Sequence, residues 1–348
     1  MSQHEQKSLL VTGGAGYIGS HMVRQLRRLG HQVVVFDSLD RGNREAVGDA
    51  PLVQGDLLDT VALQTLFQAH SFDGVLHFAA LAYVGESVDA PDRYYRNNVV
   101  GSMNLIDAMR AASVNRLVFS STCATFGIPD QMPISEETTQ KPINPYGESK
   151  LMVEKLLQDY AVGYGFRSVA LRYFNAVGSS EDATIGEQHE PETHLLPLIL
   201  FEALRIKAGG DPSDTKLAVF GDDLPTRDGT CVRDYVHVDD LCSAHTAALN
   251  RMFDFPSEGA EAFNLGISKG FTVLEVIEAC RKVTGVDIQY KMAPRRAGDP
   301  PELVADARKA TETLHWVPQY PDITASIEHA WRWFNENPPP QSSRQFPR

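Results

Sequence analysis

Short apolar blocks alternate along this chain with longer stretches in which apolar positions recur every three or four residues, so strands and helices are predicted to take turns. Residues 8–11 read as a strand, 20–29 as a helix and 32–36 as a second strand that ends at Asp37. Further strands are predicted at 52–55 (ending at Asp56), 74–78, 117–121 and 168–173, with helices at 60–68, at 92–112 and from Asn144 onward. Several strands are continuous Val/Leu runs, the mark of a sheet covered on both faces. The expected fold class is therefore α/β, a Rossmann-type doubly wound parallel sheet, in which ligands bind beyond the carboxyl ends of the strands. Past residue 178 prolines and acids become frequent, as in a smaller α/β substrate lobe grafted onto the sheet. There an apolar strand is predicted at 217–221 and amphipathic helices at 271–284 and 325–335. Residues 234–241 and 262–266 are expected to return to the first lobe, and 337–348, with three successive prolines, to form a disordered tail.

Composition narrows the class. With 348 residues, 43% hydrophobic and 22% charged, the chain can bury a full core. A formal charge of -13 argues against nucleic acid and anionic membrane as partners, so an anionic substrate has to be met by locally gathered arginines. Residues 1–6 are polar, and no run of about 20 apolar residues occurs, so a cytoplasmic protein with no membrane partner is expected. Cys123, Cys231, Cys242 and Cys280 have no metal-type spacing and are expected as reduced thiols. His189 and His194 are five apart with no cysteine or third histidine nearby, so no metal site is expected. Cys123, Trp331 and Trp333 read as packing residues.

Two motifs carry chemistry. The first strand runs into Thr12-Gly13-Gly14-Ala15-Gly16-Tyr17-Ile18-Gly19 and then a helix. Glycines at 13, 16 and 19 allow a tight turn, close approach of a pyrophosphate and helix–strand packing, with the helix N-terminus facing the phosphates. Asp37, closing the second strand, suits a ribose with two free hydroxyls and repels a 2′-phosphate, which favours NAD over NADP. The second motif is Asn144-Pro145-Tyr146-Gly147-Glu148-Ser149-Lys150. Asn144 is an N-cap and Pro145 suits the first helical turn, so Tyr146 and Lys150 project from one face, one turn apart. A phenol titrates near 10, and lowering it three units takes roughly 4 kcal/mol, which a neighbouring ammonium and the positive helix end are expected to supply. Thr122, at the carboxyl end of the fifth strand, is expected to converge on the same crevice.

These pieces, with His77-Phe78-Ala79-Ala80, Val84-Gly85-Glu86-Ser87, Asn97-Asn98-Val99, Ser120-Ser121-Thr122, Arg172-Tyr173-Phe174-Asn175, Gly229-Thr230-Cys231-Val232-Arg233-Asp234-Tyr235 and Arg295-Arg296-Ala297-Gly298-Asp299, cover roughly residues 8–335. Together they resemble the extended short-chain dehydrogenase/reductases, and within them the UDP-glucose 4-epimerase family. The resemblance implies an isomerase using NAD, with UDP-glucose and UDP-galactose as partners, acting through a 4-ketopyranose. It implies a NAD-binding Rossmann domain of 1–178 with 233–268, and a nucleotide-sugar lobe of 179–232 with 285–335. Tyr146 resembles the family's acid/base, Lys150 the lysine that depresses its pKa, and Thr122 the hydroxyl that bonds substrate and phenolate. Around the cofactor the resemblance implies Gly13, Gly16, Tyr17, Ile18, Gly19, Asp37, Asp56, Leu57, Phe78, Ala79, Ala80, Asn97, Ser120, Tyr173 and Phe174, besides Tyr146 and Lys150. For the substrate it implies Thr122, Tyr146, Asn175, His194, Leu195, Ala218, Val219, Phe220, Arg233, Arg296, Asp299 and Leu303. Thr122 stands where many members have serine, Phe126 replaces a common tyrosine, and His194 sits where some have asparagine. Leu303 aligns with a position where bulk excludes an N-acetyl group, so plain hexoses are expected as preferred substrates, with UDP-pentose and UDP-N-acetylhexosamine epimerisation as alternatives. A 4,6-dehydratase needs an acid and a base after Thr122, where this chain has Cys123-Ala124. A non-catalytic NAD-binding module leaves the Tyr146/Lys150 pair unexplained. A homodimer through the helices at 92–112 and from Asn144, paired into a four-helix bundle, is also expected.

Overall fold

A computed structural model describes residues 5–254, 259–296 and 299–339. Its largest sheet has seven strands, all parallel, in the spatial order Leu52–Gln54, Gln32–Asp37, Ser8–Thr12, Gly74–His77, Arg116–Thr122, Arg167–Tyr173 and Gly259–Leu265. The chain winds outward in one direction from Ser8–Thr12 and then in the other from Gly74–His77, the reversal that opens a crevice at the strands' carboxyl ends. Alternation along each strand serves two cores. Leu9, Val11, Leu76, Val118, Val169 and Leu171 face one. Leu10, Val75, Leu117, Phe119 and Ala170 face the other. Helices cover both faces, which is why these strands carry no polar alternation.

The second lobe has its own core. Helices Leu195–Lys207, Val273–Thr284 and Ile323–Glu336 pack Ile199, Phe201, Ile277, Ile327 and Phe334 together. Beside them Val232–His237 is flanked by Gly270–Thr272 and Glu302–Leu303 and also pairs with Asn175–Val177. Ala218–Phe220 pairs separately with Lys291–Ala293. The return to the first lobe expected at 234–241 is thus made by the helix Val238–Asp254, whose Leu241, Ala244 and Ala248 enter the first core, and by Gly259–Leu265. Ala310, Leu314 and Trp316 also pack there.

Several elements differ from expectation for identifiable reasons. The first helix is Tyr17–Arg28, starting earlier than residue 20 because Gly16 already stands at its N-cap. Phe271 belongs to a strand, and the helix after it starts at Val273 behind a Thr272/Glu275 capping box. The single helix expected over 92–112 is Pro91–Tyr94, a π-helical turn Tyr95–Val100 and Gly101–Ala111. There the Gly101 amide donates to the Arg96 carbonyl, five residues back. The expected tail at 337–348 lies outside the described residues from 340 on. Among the described residues no helix is long and apolar enough to cross a membrane.

Candidate active site

The glycine loop is wound as tightly as its composition suggests. Gly13 has φ +72°, and a Cβ there would lie 2.4 Å from the Ala79 amide nitrogen; one on Gly19 would lie 2.1 Å from the Gly13 carbonyl oxygen. The helix that follows has Gly16 at its N-cap with no side-chain cap and no acid in its first turn. Its free N–H groups suit an anion, so the loop fits a dinucleotide pyrophosphate. Asp37 is buried at the end of its strand, where its two oxygens accept from the amides of Ala15 and Leu39, each at 2.9 Å. It therefore fixes the loop and keeps further lone pairs that can accept from hydroxyl donors. Asp56 accepts from the Leu58 amide at 2.8 Å, and Leu57 is buried against Gly101. Ile18 packs on the first core, while the Tyr17 hydroxyl donates to the Gly178 carbonyl at 2.7 Å. Phe78 lies 4.7 Å from the His245 ring, and the Phe78 and Ala79 amides, just before Ala80, both donate to the Thr12 carbonyl.

Asn144 caps the helix Pro145–Tyr164 by accepting from the Gly147 amide at 2.8 Å, which sets the first turn that carries Tyr146 and Lys150. Tyr146 is half-buried, and its phenol feels the Thr122 hydroxyl, at the end of the strand Arg116–Thr122. Lys150 donates to the Ser120 carbonyl at 2.8 Å and lies 4.9 Å from the Phe119 ring centre. Burial dominates both groups. It pushes the phenol up to about 12, against the pull of the Thr122 hydrogen bond, and the lysine down to about 7, with Glu154 opposing. Burial thus opposes the expected lowering of the phenol, while the lysine is engaged with the Ser120 carbonyl. The Ser120 and Tyr173 hydroxyls bond one another.

Asn98, next to the expected Asn97, does more structural work than its neighbour. Its amide donates to the Leu81 carbonyl and to Ser149 Oγ, both at 3.0 Å, and its oxygen accepts from the Leu81 amide at 2.8 Å. Asn97 donates to that same oxygen. Ser149 in turn donates to the Tyr146 carbonyl at 2.7 Å, so Asn98 ties the loop after the fourth strand to the tyrosine's helix. The π-helical turn holds Asn98 in this position, a relation that only the three-dimensional packing reveals.

Across the crevice, Leu303 is buried with Cys123, Phe126, Ile134 and Phe174, and its strand sets it opposite Arg233. Arg233 pairs with Asp299 and donates to the Val232 carbonyl at 2.8 Å. Arg296 is exposed and lies over the Phe220 ring at 4.0 Å, beside Ala218 and Val219 of the same strand. Both guanidiniums act on the Cys231 thiol, which burial raises and they lower, and Arg233 acts likewise on Cys123. Arg233 therefore reaches from the second lobe to the residue beside Thr122. Asn175 opens a short strand paired to Tyr235. Asp234, absent from the expected set, bridges the lobes by accepting from the amides of Ile267, Ser268 and Ala305.

His194, just before Leu195 at the start of its helix, does not stand alone. Its Nδ1 lies 2.9 Å from carboxylate oxygens of both Glu187 and Glu192. His189 joins the same knot, and its ring meets those of Tyr17 and Tyr83 edge-on.

The sequence profile described as the NAD dependent epimerase/dehydratase family matches residues 9–266. The UDP-glucose 4-epimerase of Halalkalibacterium halodurans is 48% identical over 331 residues, covering 95% of this chain and 96% of its own. Among solved structures, UDP-glucose 4-epimerase from Brucella ovis in complex with NAD superimposes with a TM-score of 0.88 at 44% identity, over 94% of this chain and 98% of that one. UDP-glucose-4-epimerase from Stenotrophomonas maltophila, with bound NAD and formylated UDP-arabinopyranose, gives 0.89 at 42% identity, over 95% and 99%.

Proposed function

We infer the function from a premise that these matches establish: the chain belongs to the NAD dependent epimerase/dehydratase family. Its activity is the NAD-dependent interconversion of UDP-glucose and UDP-galactose, an isomerisation. The observation that carries the chemistry is the half-buried Tyr146 phenol beside Thr122, one helical turn from Lys150 and beyond the carboxyl ends of the parallel strands. Tyr146 takes the proton of the sugar C4 hydroxyl and later returns it, with a 4-ketopyranose between the two events. Bound in the crevice, NAD would supply the acceptor and donor for the C4 hydride and a positive charge that would favour the phenolate. Thr122 orients the C4 oxygen and the phenol. Lys150, fixed on the Ser120 carbonyl, holds positive charge beside the nicotinamide ribose.

For the cofactor we propose Gly13, Gly16, Tyr17, Ile18 and Gly19 at the pyrophosphate, Asp37 at the ribose hydroxyls, and Asp56, Leu57, Phe78, Ala79, Ala80, Asn97, Ser120, Tyr173 and Phe174 along the remainder. For the substrate, Arg233 and Arg296 grip the diphosphate with bidentate forks, Asp299 aims Arg233, and Ala218, Val219 and Phe220 lie along the uracil. Asn175, His194 and Leu195 border the diphosphate, and Leu303 bounds the sugar. The boundary expected at 233 is moved to 238, because Val232–His237 pairs with strands of the second lobe, so the NAD-binding domain is assigned to 1–178 with 238–268 and the nucleotide-sugar lobe to 179–237 with 285–335. Four free thiols suit a cytoplasmic setting. A homodimer is supported by exposed Val100, Met103, Met152 and Val162 on the two helices of the expected bundle. Light scattering of the purified protein at micromolar concentration is expected to give twice the chain mass, and a monomer would overturn the dimer. Proton NMR of UDP-glucose with catalytic amounts of protein is expected to show UDP-galactose appearing; a stable 6-deoxy-4-keto product or no turnover would overturn the functional reading. UDP-xylose belongs in the same assay.

A further inference from the structure

The loop before the helix Leu195–Lys207 gathers Glu187, His189, Glu192 and His194 so that one ligating atom from each lies within 4.8 Å of all the others. We propose that these four residues form a binding site for a divalent metal of the zinc class, structural in kind and separate from the chemistry at Tyr146.

The ligating atoms are gathered but not yet at an ion's spacing, since some pairs stand at hydrogen-bond distance, so filling the site spreads them by roughly a few tenths of an ångström. Four ligands at the 2.0–2.1 Å typical of zinc–nitrogen and zinc–carboxylate bonds stand about 3.3–3.4 Å apart at the corners of a tetrahedron. Here Glu187 Oε1 is 2.9 Å from His194 Nδ1 and 3.1 Å from His189 Nδ1. Glu192 Oε1 is 2.9 Å from His194 Nδ1, and Glu192 Oε2 is 3.4 Å from His189 Nδ1. The donor set of two imidazoles and two carboxylates is one that zinc accepts.

A second observation points to a missing partner. Glu192 is only 1% exposed, yet its Oε2 makes no hydrogen bond, and neither does the buried Nδ1 of His189 facing it. Ion-pair distance is met but the direction of a hydrogen bond is not, as expected where lone pairs converge on a common point. The other oxygen of Glu192 is fixed by the amides of Thr193 and His194 at 2.7 and 2.8 Å, which orients the carboxylate toward the cluster. One divalent ion matches the two buried carboxylates in charge, as two protonated imidazoles also do.

Four protein ligands leave no open position, so the ion acts as a clamp. What it clamps is the junction of the lobes: His189 packs edge-on against Tyr17 of the glycine loop and against Tyr83, whose hydroxyl donates to the Pro191 carbonyl. No cysteine takes part, so the site leaves no spacing signature of the usual thiolate kind.

The test uses the full chain, stripped with a chelator and dialysed, then titrated with Co²⁺ and with Zn²⁺. About one equivalent of cobalt is expected to give the strong visible bands of a tetrahedral ion with no thiolate charge-transfer band, and zinc is expected to abolish them. His189→Asn and Glu187→Gln are expected to weaken binding by more than about 100-fold, beyond the loss that follows removal of a mere supporting partner. His315→Asn, at an exposed histidine, serves as the unaffected control. Zinc-edge absorption on the wild-type protein keeps the question decidable if a variant fails to fold, and two imidazoles with two oxygens are expected. A folded wild-type chain that shows no cobalt bands, equal binding in both variants, or a zinc shell containing sulfur would each overturn the site.

Discussion

Around the glycine loop the crevice is shaped by backbone, set by glycines that admit no Cβ, whereas across it the second lobe presents side chains: the Arg233 fork, Arg296 stacked on Phe220, and Leu303. A backbone cradle is rigid and indifferent to which sugar arrives. Side chains on short strands are adjustable, and each can be exchanged without rewinding the chain. The difference teaches that the first lobe should govern whether the reaction occurs, and the second which molecule is held for it.

The largest effect should therefore come from the first lobe. Tyr146→Phe removes the proton acceptor and is expected to lower kcat about 10²- to 10⁴-fold with little change in KM, measured by a coupled assay for UDP-galactose. A KM effect alone would break the division between the lobes. Next is Arg233→Met, which deletes charge-assisted bonds worth about 1.5–3 kcal/mol and is expected to lower kcat/KM roughly 10- to 100-fold, mainly through KM. Asp299→Asn should move KM the same way by less, since it only aims the arginine. Smaller again is Leu303→Ser, expected to raise the kcat/KM ratio of UDP-N-acetylglucosamine over UDP-glucose about tenfold, with Leu303→Tyr lowering it. If neither variant changes the ratio, Leu303 does not bound the sugar.

A further effect is read in stability rather than in turnover, and it is one of pH. Burial holds Lys150 at about 7, below its ordinary value near 10.5, so the folded chain binds fewer protons than the unfolded chain between those limits. Lys150's contribution to stability is complete above about 10.5 and is lost as pH falls through 7. The urea midpoint of the wild type is expected to rise relative to Lys150→Met as pH increases through that window, by at most about 1.4 kcal/mol per pH unit. Parallel curves for the two proteins would show that the lysine is not desolvated.

Local signals explain what was legible in the sequence. The glycine loop, Asp37 at a strand end and the Asn144–Pro145 helix start are spelled out within a few residues, and the structure follows them. Thr272 and Glu275 likewise spell a capping box, which marks the helix start more accurately than the apolar pattern around Phe271 does. What was not legible depends on groups far apart or on burial. The raised phenol of Tyr146 follows from desolvation, which no spacing of tyrosine and lysine encodes. Glu187 and Glu192 join the two histidines only once the loop is folded, so a search for cysteine or a third histidine passes over them. Asp234 gains its bridging position from amides at Ile267, Ser268 and Ala305, which the sequence leaves dozens of residues away.

The π-helical turn at Tyr95–Val100 changes the phase of its helix. Each residue of an α-helix advances the side-chain direction by about 100°, so one surplus residue in a turn rotates everything after it by that angle relative to everything before. Ahead of the turn, Tyr94 points at Tyr146, their rings 6.5 Å apart and edge to face. Behind it, Leu105, Ile106 and Met109 point into the sheet. In an unbroken helix Tyr94 and Leu105, eleven residues apart, would share one face, within about 20° of each other. The extra residue lets one rod serve two clients, so the wall of the catalytic pocket is anchored in the scaffold without sharing its orientation.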